Sequence, residues 1–280
     1  MTRSLAALIA VLGSTAGPSA GIVSAQAKSV EVQPKKNALP KVVGVPDTVR
    51  ADWKLDDYYT KYADAGGLPV VAPKQVDDRA LAVAAYIVTK MLATRPDVRD
   101  ALVAARVRVG VIGKSQEVTD LPEYAGLRPE AERWNKRARG LGATPDKPAV
   151  SAGEENLIYL PNDRYKGESI LVHEVGHTVH EMGINAVDPE FEPRLKEAYE
   201  GAIKKGLWAK TYAATGFKEY WAEGVQSYFD CNMAVRAPDG VHNGVASRTL
   251  LKKYDPTLYE LVDKSFKSPK WSMAQPLPAK

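Results

Sequence analysis

The sequence feature that most constrains this chain is the segment His173–His177, which reads HEVGH. Its two histidines are four residues apart, so on a helix both imidazoles project from one face, one turn apart. Two neutral imidazoles at this spacing can bind one tetrahedral zinc ion. Glu174 lies beside them, close enough to take a proton from a metal-bound water without being a ligand. The segment therefore predicts a zinc-binding helix that carries a general base.

The sequence around this motif is typical of a buried helix. Its apolar residues are spaced four, four and three apart: Leu171, Val175, Val179 and Met182. We predict a helix from about Gly167 to Met182, closed by Gly183. A glycine inside a helix costs about 1 kcal/mol relative to alanine. We therefore expect another backbone to pack closely at Gly176.

A third histidine, His180, shares this helix but fits a metal poorly. Along an unbroken helix it lies about 10 Å beyond His173. The sequence also lacks the later glycine and histidine of the metzincin pattern. Although His180 is a ligand in principle, we predict that it lies outside the metal's direct ligands or at the surface.

The third protein ligand of a catalytic zinc has to come from elsewhere in the chain. The best source is a predicted helix from Lys218 to Asn232. Four polar residues share one face of that helix: Glu219, Glu223, Gln226 and Asp230. Either Glu219 or Glu223 could bind zinc, with the other accepting an imidazole N–H; alternatively, both are solvated surface charges.

The two helices together resemble the catalytic domain of anthrax lethal factor and the Pro-Pro endopeptidases. In that group HExxH is followed by Glu, two aromatic residues, Ala and Glu, with a tyrosine seven residues before the first Glu. Here Glu219–Glu223 reads EYWAE, and Tyr212 stands seven residues before Glu219. The matching region runs from about residue 156 to 232, and no resemblance covers residues 26–150.

This resemblance implies a role for each matching residue and a fold. It assigns the metal to His173, His177 and Glu219, general base catalysis to Glu174, transition-state stabilisation to Tyr212, and a position behind the ligands to Glu223. It also implies a zincin-like fold, with a small mixed sheet and an active-site helix followed by a helical C-terminal subdomain.

The rest of the chain is consistent with an α+β protein. Predicted helices cover residues 77–94, 96–105, 193–206 and 255–264, and predicted strands cover residues 107–112 and 156–160. Residues 113–153 are rich in loop-forming residues, and residues 212–216 also form a loop. Because strand 156–160 directly precedes the zinc helix, we expect it to be the sheet edge to which an extended peptide adds.

The N-terminus predicts export. Residues 1–25 read as a signal peptide cleaved after Ala25 or Ala27; the alternative is an uncleaved anchor. We predict an extended arm or linker at residues 26–50, one catalytic domain at 51–265, and a tail at 266–280. Within the domain, residues 51–150 form the N-terminal part and 151–265 the metal-site part. The mature protein is expected to be secreted or extracytoplasmic.

Composition narrows the partners. The net charge is +4, but Lys and Arg are scattered rather than arranged in the dense stripe of a nucleic-acid site. Outside the N-terminal segment no stretch is long and apolar enough for a membrane span. The lone cysteine, Cys231, cannot form an internal disulfide. The sequence leaves the oligomeric state open.

These observations predict a secreted endopeptidase with one Zn²⁺ per chain and a peptide or protein substrate. Zinc would activate the attacking water, Glu174 would take its proton and pass it to the leaving amine, and Tyr212 would stabilise the oxyanion. One alternative is a non-catalytic secreted module whose zinc has four protein ligands, the last being His242. Another is a zinc hydrolase that acts on a non-peptide bond.

Overall fold

A mixed β-sheet and surrounding helices make up the described part of this protein. The computed structural model describes residues 38–267 and 270–273. The strands are β1 (Val43–Gly44), β2 (Lys61–Asp64), β3 (Pro69–Ala72), β4 (Arg108–Ile112), β5 (Gly140–Leu141) and β6 (Ala149–Gly153). The α-helices are α1 (Asp47–Trp53), α2 (Asp78–Leu92), α3 (Pro96–Ala104), α4 (Ala131–Arg137), α5 (Glu154–Leu157), α6 (Ile170–Thr178), α7 (Asn185–Val187), α8 (Phe191–Lys204), α9 (Phe217–Tyr228), α10 (Arg248–Tyr254) and α11 (Pro256–Phe266).

The sheet has the strand order β1-β2-β3-β4-β6-β5. Strands β3, β4 and β6 run parallel in its centre, while β1, β2 and β5 pair antiparallel towards the edges. The central strands are buried on both faces, as their runs of Val and Ala predict. Val109 and Val111 face a large core that includes the helices, whereas Ile112 faces a smaller one around Tyr59 and Tyr124.

Helices α6 and α9 pack closely against each other. The indole N–H of Trp221 donates to the Gly176 carbonyl at 2.8 Å. A Cβ added at Gly176 would lie 3.4 Å from the Val225 Cβ and 3.6 Å from the Ala222 Cα. The expected close backbone approach at Gly176 is therefore present. The predicted α+β class, with a mixed sheet, a helix bearing the motif and a helical C-terminal part, is confirmed.

The predicted strand at residues 156–160 is wrong. Asn156 belongs to α5, and the strand that precedes the motif helix is β6. The Asn156 side chain explains why, because it is buried and bonded at both ends. Its amide donates to Asp163, and its carbonyl accepts from the Ile170 N–H at 2.9 Å. A buried polar group of this kind fixes a turn rather than extending a strand.

Gly183 does not close the motif helix, contrary to the prediction. The helix continues from α6 through a π-helical segment, Val179–Ile184, into α7. Gly183 is needed for packing instead, since an added Cβ would lie 2.6 Å from the Val98 Cγ1. Strands β2 and β3 and helix α10 were not predicted at all.

The predicted arm at residues 26–50 is only partly described. Within the described portion, β1 pairs with β2, and α1 begins at Asp47, so part of the predicted arm forms a strand and the start of a helix. In the predicted tail, the Trp271 ring packs against Tyr86 and Phe229. The predicted signal peptide lies outside the described residues. Among the helices of the described ranges, none has the length and apolarity to cross a membrane.

Candidate metal centre

The N-terminus of α6 is fixed by hydrogen bonds from three directions. The Ser169 hydroxyl caps the helix by accepting from the Val172 N–H at 3.4 Å. The Ser169 N–H in turn donates to the Cys231 carbonyl at 3.0 Å. Together with the bond from Ile170 to Asn156, these contacts set the rotation of α6. They therefore determine which way the motif histidines face.

Three side chains of the described residues converge on one point. The Nε2 atoms of His173 and His177 are 3.1 Å apart, and each lies 3.2 Å from the Glu219 Oε2. Among the described residues, these three side chains form a group whose ligand atoms are close enough together to hold one metal ion. Zinc bonds of about 2.0–2.1 Å predict tetrahedral edges of about 3.3 Å between ligand atoms. The three observed edges are close to that length, so the donor set fits a zinc ion.

The other ring nitrogen of His173 has a partner on α9. Its Nδ1 lies 2.8 Å from the Gln226 Oε1 and 3.7 Å from the Glu223 Oε1. An Nδ1–H that donates to Gln226 leaves the Nε2 lone pair facing the cluster. Glu223 is thus behind the ring, where it accepts from the Asn232 amide at 2.9 Å. Geometry favours Glu219 over Glu223 as the third ligand.

The electrostatics of the cluster favour a bound cation. Burial lowers the pKa of His173, but the hydrogen bond to Glu219 and the nearby carboxylates outweigh it and raise the pKa to about 10. Burial likewise opposes ionisation of Glu219, yet its hydrogen bonds to both histidines hold its pKa well below the ordinary range. Three acceptor atoms this close together attract a positive charge, which a proton or a metal ion can supply.

Glu174 faces the same cleft but does not belong to the triangle of His173, His177 and Glu219, which is called the ligand triangle below. Burial raises the pKa of its carboxyl group, while the charges of both motif histidines oppose that rise. The Gly142 backbone N–H is hydrogen-bonded to the carboxylate and also lowers its pKa. A buried carboxylate with a raised pKa and a fixed orientation is suited to accept and return a proton.

The wall opposite α6 is strand β5 and the residues that follow it. A Cβ added at Gly140 would lie 3.1 Å from the Glu174 Cγ, and one added at Gly142 would lie 2.9 Å from the His177 Cβ. Only glycine permits this close approach. The sheet edge above the cleft is therefore Gly140–Leu141. The prediction that placed this edge at residues 156–160 was wrong.

Two contacts hold this wall in place. The buried Arg139 guanidinium makes a bidentate ion pair with Glu155, at 2.6 and 2.8 Å. Two residues past the strand, the Ala143 N–H donates to the Thr178 hydroxyl at 2.9 Å. Thr178 itself donates to the Glu174 carbonyl, so the wall is attached directly to the motif helix. Sequence reasoning missed this wall, and the pair of glycines around Leu141 was its one signal.

Tyr212 lies beside the cluster, as the resemblance implied. Its ring stacks on His173, with ring centroids 6.2 Å apart and an interplanar angle of 23°. Burial and the neighbouring Glu219 raise the pKa of Tyr212 to about 12. The hydroxyl therefore keeps its proton at neutral pH and can donate a hydrogen bond into the cleft. Its backbone N–H is bonded to the Val241 carbonyl at 2.8 Å.

His180 is neither at the surface nor next to the cluster, so its predicted position is wrong. The side chain is fully buried among the rings of Phe191, Phe217 and Trp221. Neither ring nitrogen has a hydrogen-bond partner in the described structure. Desolvation lowers its pKa to about 4. The helix carries this histidine into the apolar core, away from the cluster of His173, His177 and Glu219.

His242 does not join the cluster either. Its Nε2 pairs with the Glu168 Oε2 at 3.4 Å. The cluster therefore consists of three side chains and faces a cleft of about 670 Å³. Residues around the cleft include Trp134, Arg137, Tyr165, Glu181, Lys218 and Val241. Three ligands that face an open cleft are typical of catalytic zinc sites, whereas structural sites have four protein ligands.

Comparison with known proteins finds a distant likeness to solved structures. No protein-family model matches the chain, and no curated protein matches it in sequence. One similar solved structure is the Pro-Pro endopeptidase PPEP-2 from Paenibacillus alvei, with 20% identity and a TM-score of 0.45. The match covers 70% of this chain and 96% of that chain. A likeness this distant carries no argument about catalysis, which has to come from the site itself.

Proposed function

We propose that this protein is a secreted, zinc-dependent endopeptidase. The observation that carries the proposal is the triangle of His173, His177 and Glu219, which opens onto a cleft that also contains Glu174 and Tyr212. The donor set and its edge lengths fit zinc. A carboxylate and a phenol beside a metal site are the two groups that hydrolysis of an acyl bond needs.

Each residue of the site would have one task. His173, His177 and Glu219 would hold zinc, which acts as a Lewis acid and acidifies water in the site. Glu174 would accept the proton of the attacking water on its carboxylate and then deliver it to the leaving nitrogen. The Tyr212 hydroxyl would donate to the oxygen that becomes negatively charged as the substrate carbonyl is attacked.

The geometry of the cleft favours a peptide as substrate. Strand β5 lies at the edge of the sheet, and a sheet edge is where an extended peptide can add as a further strand. Residues 140–143 run along the cleft directly opposite α6. A substrate strand paired there would place a peptide carbonyl near the ligand triangle. Hydrolysis of a non-peptide bond would make no use of this edge.

Metal content and cleavage test the proposal together. Purified full-length or mature protein should contain about one zinc per chain by elemental analysis, and a diverse peptide library should be cleaved within peptides rather than at their ends. Absence of zinc from protein prepared without chelators would contradict the metal assignment. A protein that holds zinc but cleaves no peptide would point to a non-catalytic module instead.

The ligand assignment has its own test. Glu219→Ala should lower zinc occupancy strongly, because it removes one corner of the triangle. Glu223→Ala is the matched control, since this carboxylate lies 3.7 Å from the His173 Nδ1, behind the ring. Glu223→Ala should lower zinc affinity less, by about 10- to 100-fold, as is typical when a side chain that supports a metal ligand is removed. The reverse order would exchange the two roles.

Export is a separate part of the proposal. It rests on residues 1–25, whose charged start, apolar run and small residues match a signal peptide. N-terminal sequencing of protein recovered from outside the producing cell should give a first residue of Gln26 or Lys28. An intact Met1 on cell-associated protein would contradict the assignment of a cleaved signal.

A further inference from the structure

A buried chain of polar groups runs from His173 away from the cleft. Beyond the His173 Nδ1 and the Gln226 Oε1, the Gln226 Nε2 lies 3.1 Å from the Glu168 Oε2. Glu168 then meets the His242 Nε2 at 3.4 Å. Gln226 is fully buried, and the side chains of Glu168 and His242 are 9% and 8% exposed. Gln226 and Glu168 satisfy each other by a hydrogen bond, whereas the His242 Nε2 makes an ion-pair contact with Glu168 without a hydrogen bond.

The partners of Gln226 fix the orientation of its amide. The Nε2 atom has two acceptors, the Glu168 carboxylate and the Ser169 carbonyl, at 3.1 and 3.2 Å. The amide oxygen must therefore face His173, because a reversed amide would place it against two other oxygens. An amide oxygen accepts only, so the His173 Nδ1 must carry the hydrogen. In the neutral ring that a metal would bind, this chain of groups therefore leaves the lone pair on the Nε2 of His173, which faces His177 and Glu219.

We propose that Gln226, Glu168 and His242 are positioning residues that lock His173 in the ring orientation and tautomer needed to bind zinc. Glu168 orients the Gln226 amide, and His242 contacts the Glu168 carboxylate and helps to hold it in place. The importance of this chain for activity rests on the proposed function, but its effect on His173 does not. None of the three residues belongs to the ligand triangle.

His242 reaches Glu168 from a tight turn that also contacts the catalytic tyrosine. The Asp239 carboxylate accepts from the N–H groups of Val241 and His242, at 2.9 and 2.8 Å. The Val241 carbonyl accepts from the Tyr212 N–H. One short segment thus supports His173 through its side chain and Tyr212 through its backbone. Loosening this turn is expected to disturb both groups.

The test reads the His173 ring directly in metal-free, full-chain protein. With ¹⁵N-labelled histidine, NMR should show a His173 Nδ1–H that exchanges slowly with solvent, assigned by its loss in His173→Gln. Gln226→Leu and Glu168→Leu should speed that exchange about tenfold or more, because the proton loses its acceptor or the acceptor loses its orientation. His242→Gln should have a smaller effect in the same direction.

Gln116→Leu is the matched control. Gln116 is a half-buried glutamine whose side chain bonds to the Gly113 N–H and the Tyr58 hydroxyl. No hydrogen bond of its side chain reaches Gln226, Glu168 or His242. Its removal should leave the His173 proton unchanged. Rapid exchange in the wild-type protein, or slow exchange that survives Gln226→Leu and Glu168→Leu, would overturn the proposal. Circular dichroism and thermal unfolding verify that each variant is folded.

A double substitution separates positioning from simple packing. Gln226→Glu keeps an acceptor for His173 but places a second carboxylate next to that of Glu168. The repulsion between them should make the His173 Nδ1–H exchange faster with solvent. Adding Glu168→Gln restores a donor there and should move protection back towards the wild-type value. If the two single effects merely add, the chain does not act through amide orientation, and the proposal fails.

Zinc affinity is the second measurement. By competition with a chelator, Gln226→Leu should weaken zinc binding about 10- to 100-fold, while Gln116→Leu should not. If wild-type protein binds no zinc, the proposed function fails, yet the NMR result still decides whether the chain positions His173. If zinc binds and Gln226→Leu leaves its affinity unchanged, the positioning role in metal binding is refuted.

Discussion

The two ends of the motif helix shift the pKa of a buried histidine in opposite directions. At its start, His173 meets Gln226, Glu219 and Glu223, and the carboxylates raise its pKa to about 10 against the effect of burial. Two turns later, His180 lies among aromatic rings, with the Glu192 carboxylate 3.5 Å away but not hydrogen-bonded, and burial lowers its pKa to about 4. Burial alone therefore does not set the properties of a buried histidine. The acceptors that the neighbouring helix presents to its ring make the difference between the two.

The largest expected effect comes from the carboxylate at the polar end. Glu174→Gln removes the proton acceptor but keeps the side-chain shape, so kcat/KM for a peptide should fall about 10²- to 10⁴-fold. Zinc content should not change, because Glu174 is outside the ligand triangle. Glu181→Gln is the matched control, since that carboxylate lines the same cleft and pairs with Lys218. Equal losses in both variants would refute a specific role for Glu174.

The next effect concerns the phenol that stacks on His173. Tyr212→Phe keeps the ring but removes the hydroxyl, and loss of one oxyanion donor typically lowers kcat about 10²- to 10³-fold. KM should change little. Tyr165→Phe is the control, because its hydroxyl also lies at the cleft but donates to the Arg137 carbonyl. A loss confined to KM would indicate that Tyr212 binds substrate rather than the transition state.

At the apolar end, the expected effect is on stability. The pKa of His180 is about 4 in the folded protein and about 6.5 when unfolded, so the unfolded state takes up a proton first as pH falls. Stability present above pH 6.5 is therefore lost between about pH 6.5 and 4, by about 3 kcal/mol from this residue. Denaturant unfolding of metal-free protein at several pH values should show a shallower loss in His180→Leu. Parallel pH curves for the two proteins would contradict this account.

The smallest expected effects are changes in stability when alanine replaces a glycine at either end of the motif helix. Gly183→Ala should destabilise the protein by about 1–3 kcal/mol, because the new Cβ would overlap Val98. Gly176→Ala meets its neighbours at 3.4 Å and gains about 1 kcal/mol of helix propensity, so its net change should stay within about 1 kcal/mol. Thermal unfolding of both variants measures the difference. A larger cost at Gly176 would show that the polar end is the tighter one.

Local spacing accounts for what the sequence could predict. His173 and His177 share a helix face because they are four residues apart, and Glu219 and Gln226 share a face of α9 because they are seven residues, or about two turns, apart. The apolar stripe of each helix then implies that both pack against the core. The structure brings the predicted residues together around one cleft. That they bind zinc and cleave peptides stays a prediction.

What the sequence could not predict depends on contacts between distant segments. The cleft wall at Gly140 and Gly142 exists because β5 pairs with β6, and that pairing has no local signature. Asn156 lies in a short apolar run that reads as a strand until its buried hydrogen bonds are known. The role of Gln226 is likewise set by Glu168, 58 residues away in sequence.

The pair of glycines in the cleft wall also bears on how inhibitors could achieve selectivity. Because neither Gly140 nor Gly142 tolerates a Cβ, the wall presents only main-chain atoms at those two positions, and a compound gains little discrimination there. Selectivity between compounds would come from side chains elsewhere around the cleft, among them Tyr212, Lys218 and Val241. A peptide-like backbone would serve as a generic anchor, and substituents directed at those three residues would distinguish this protein from others with a similar metal site.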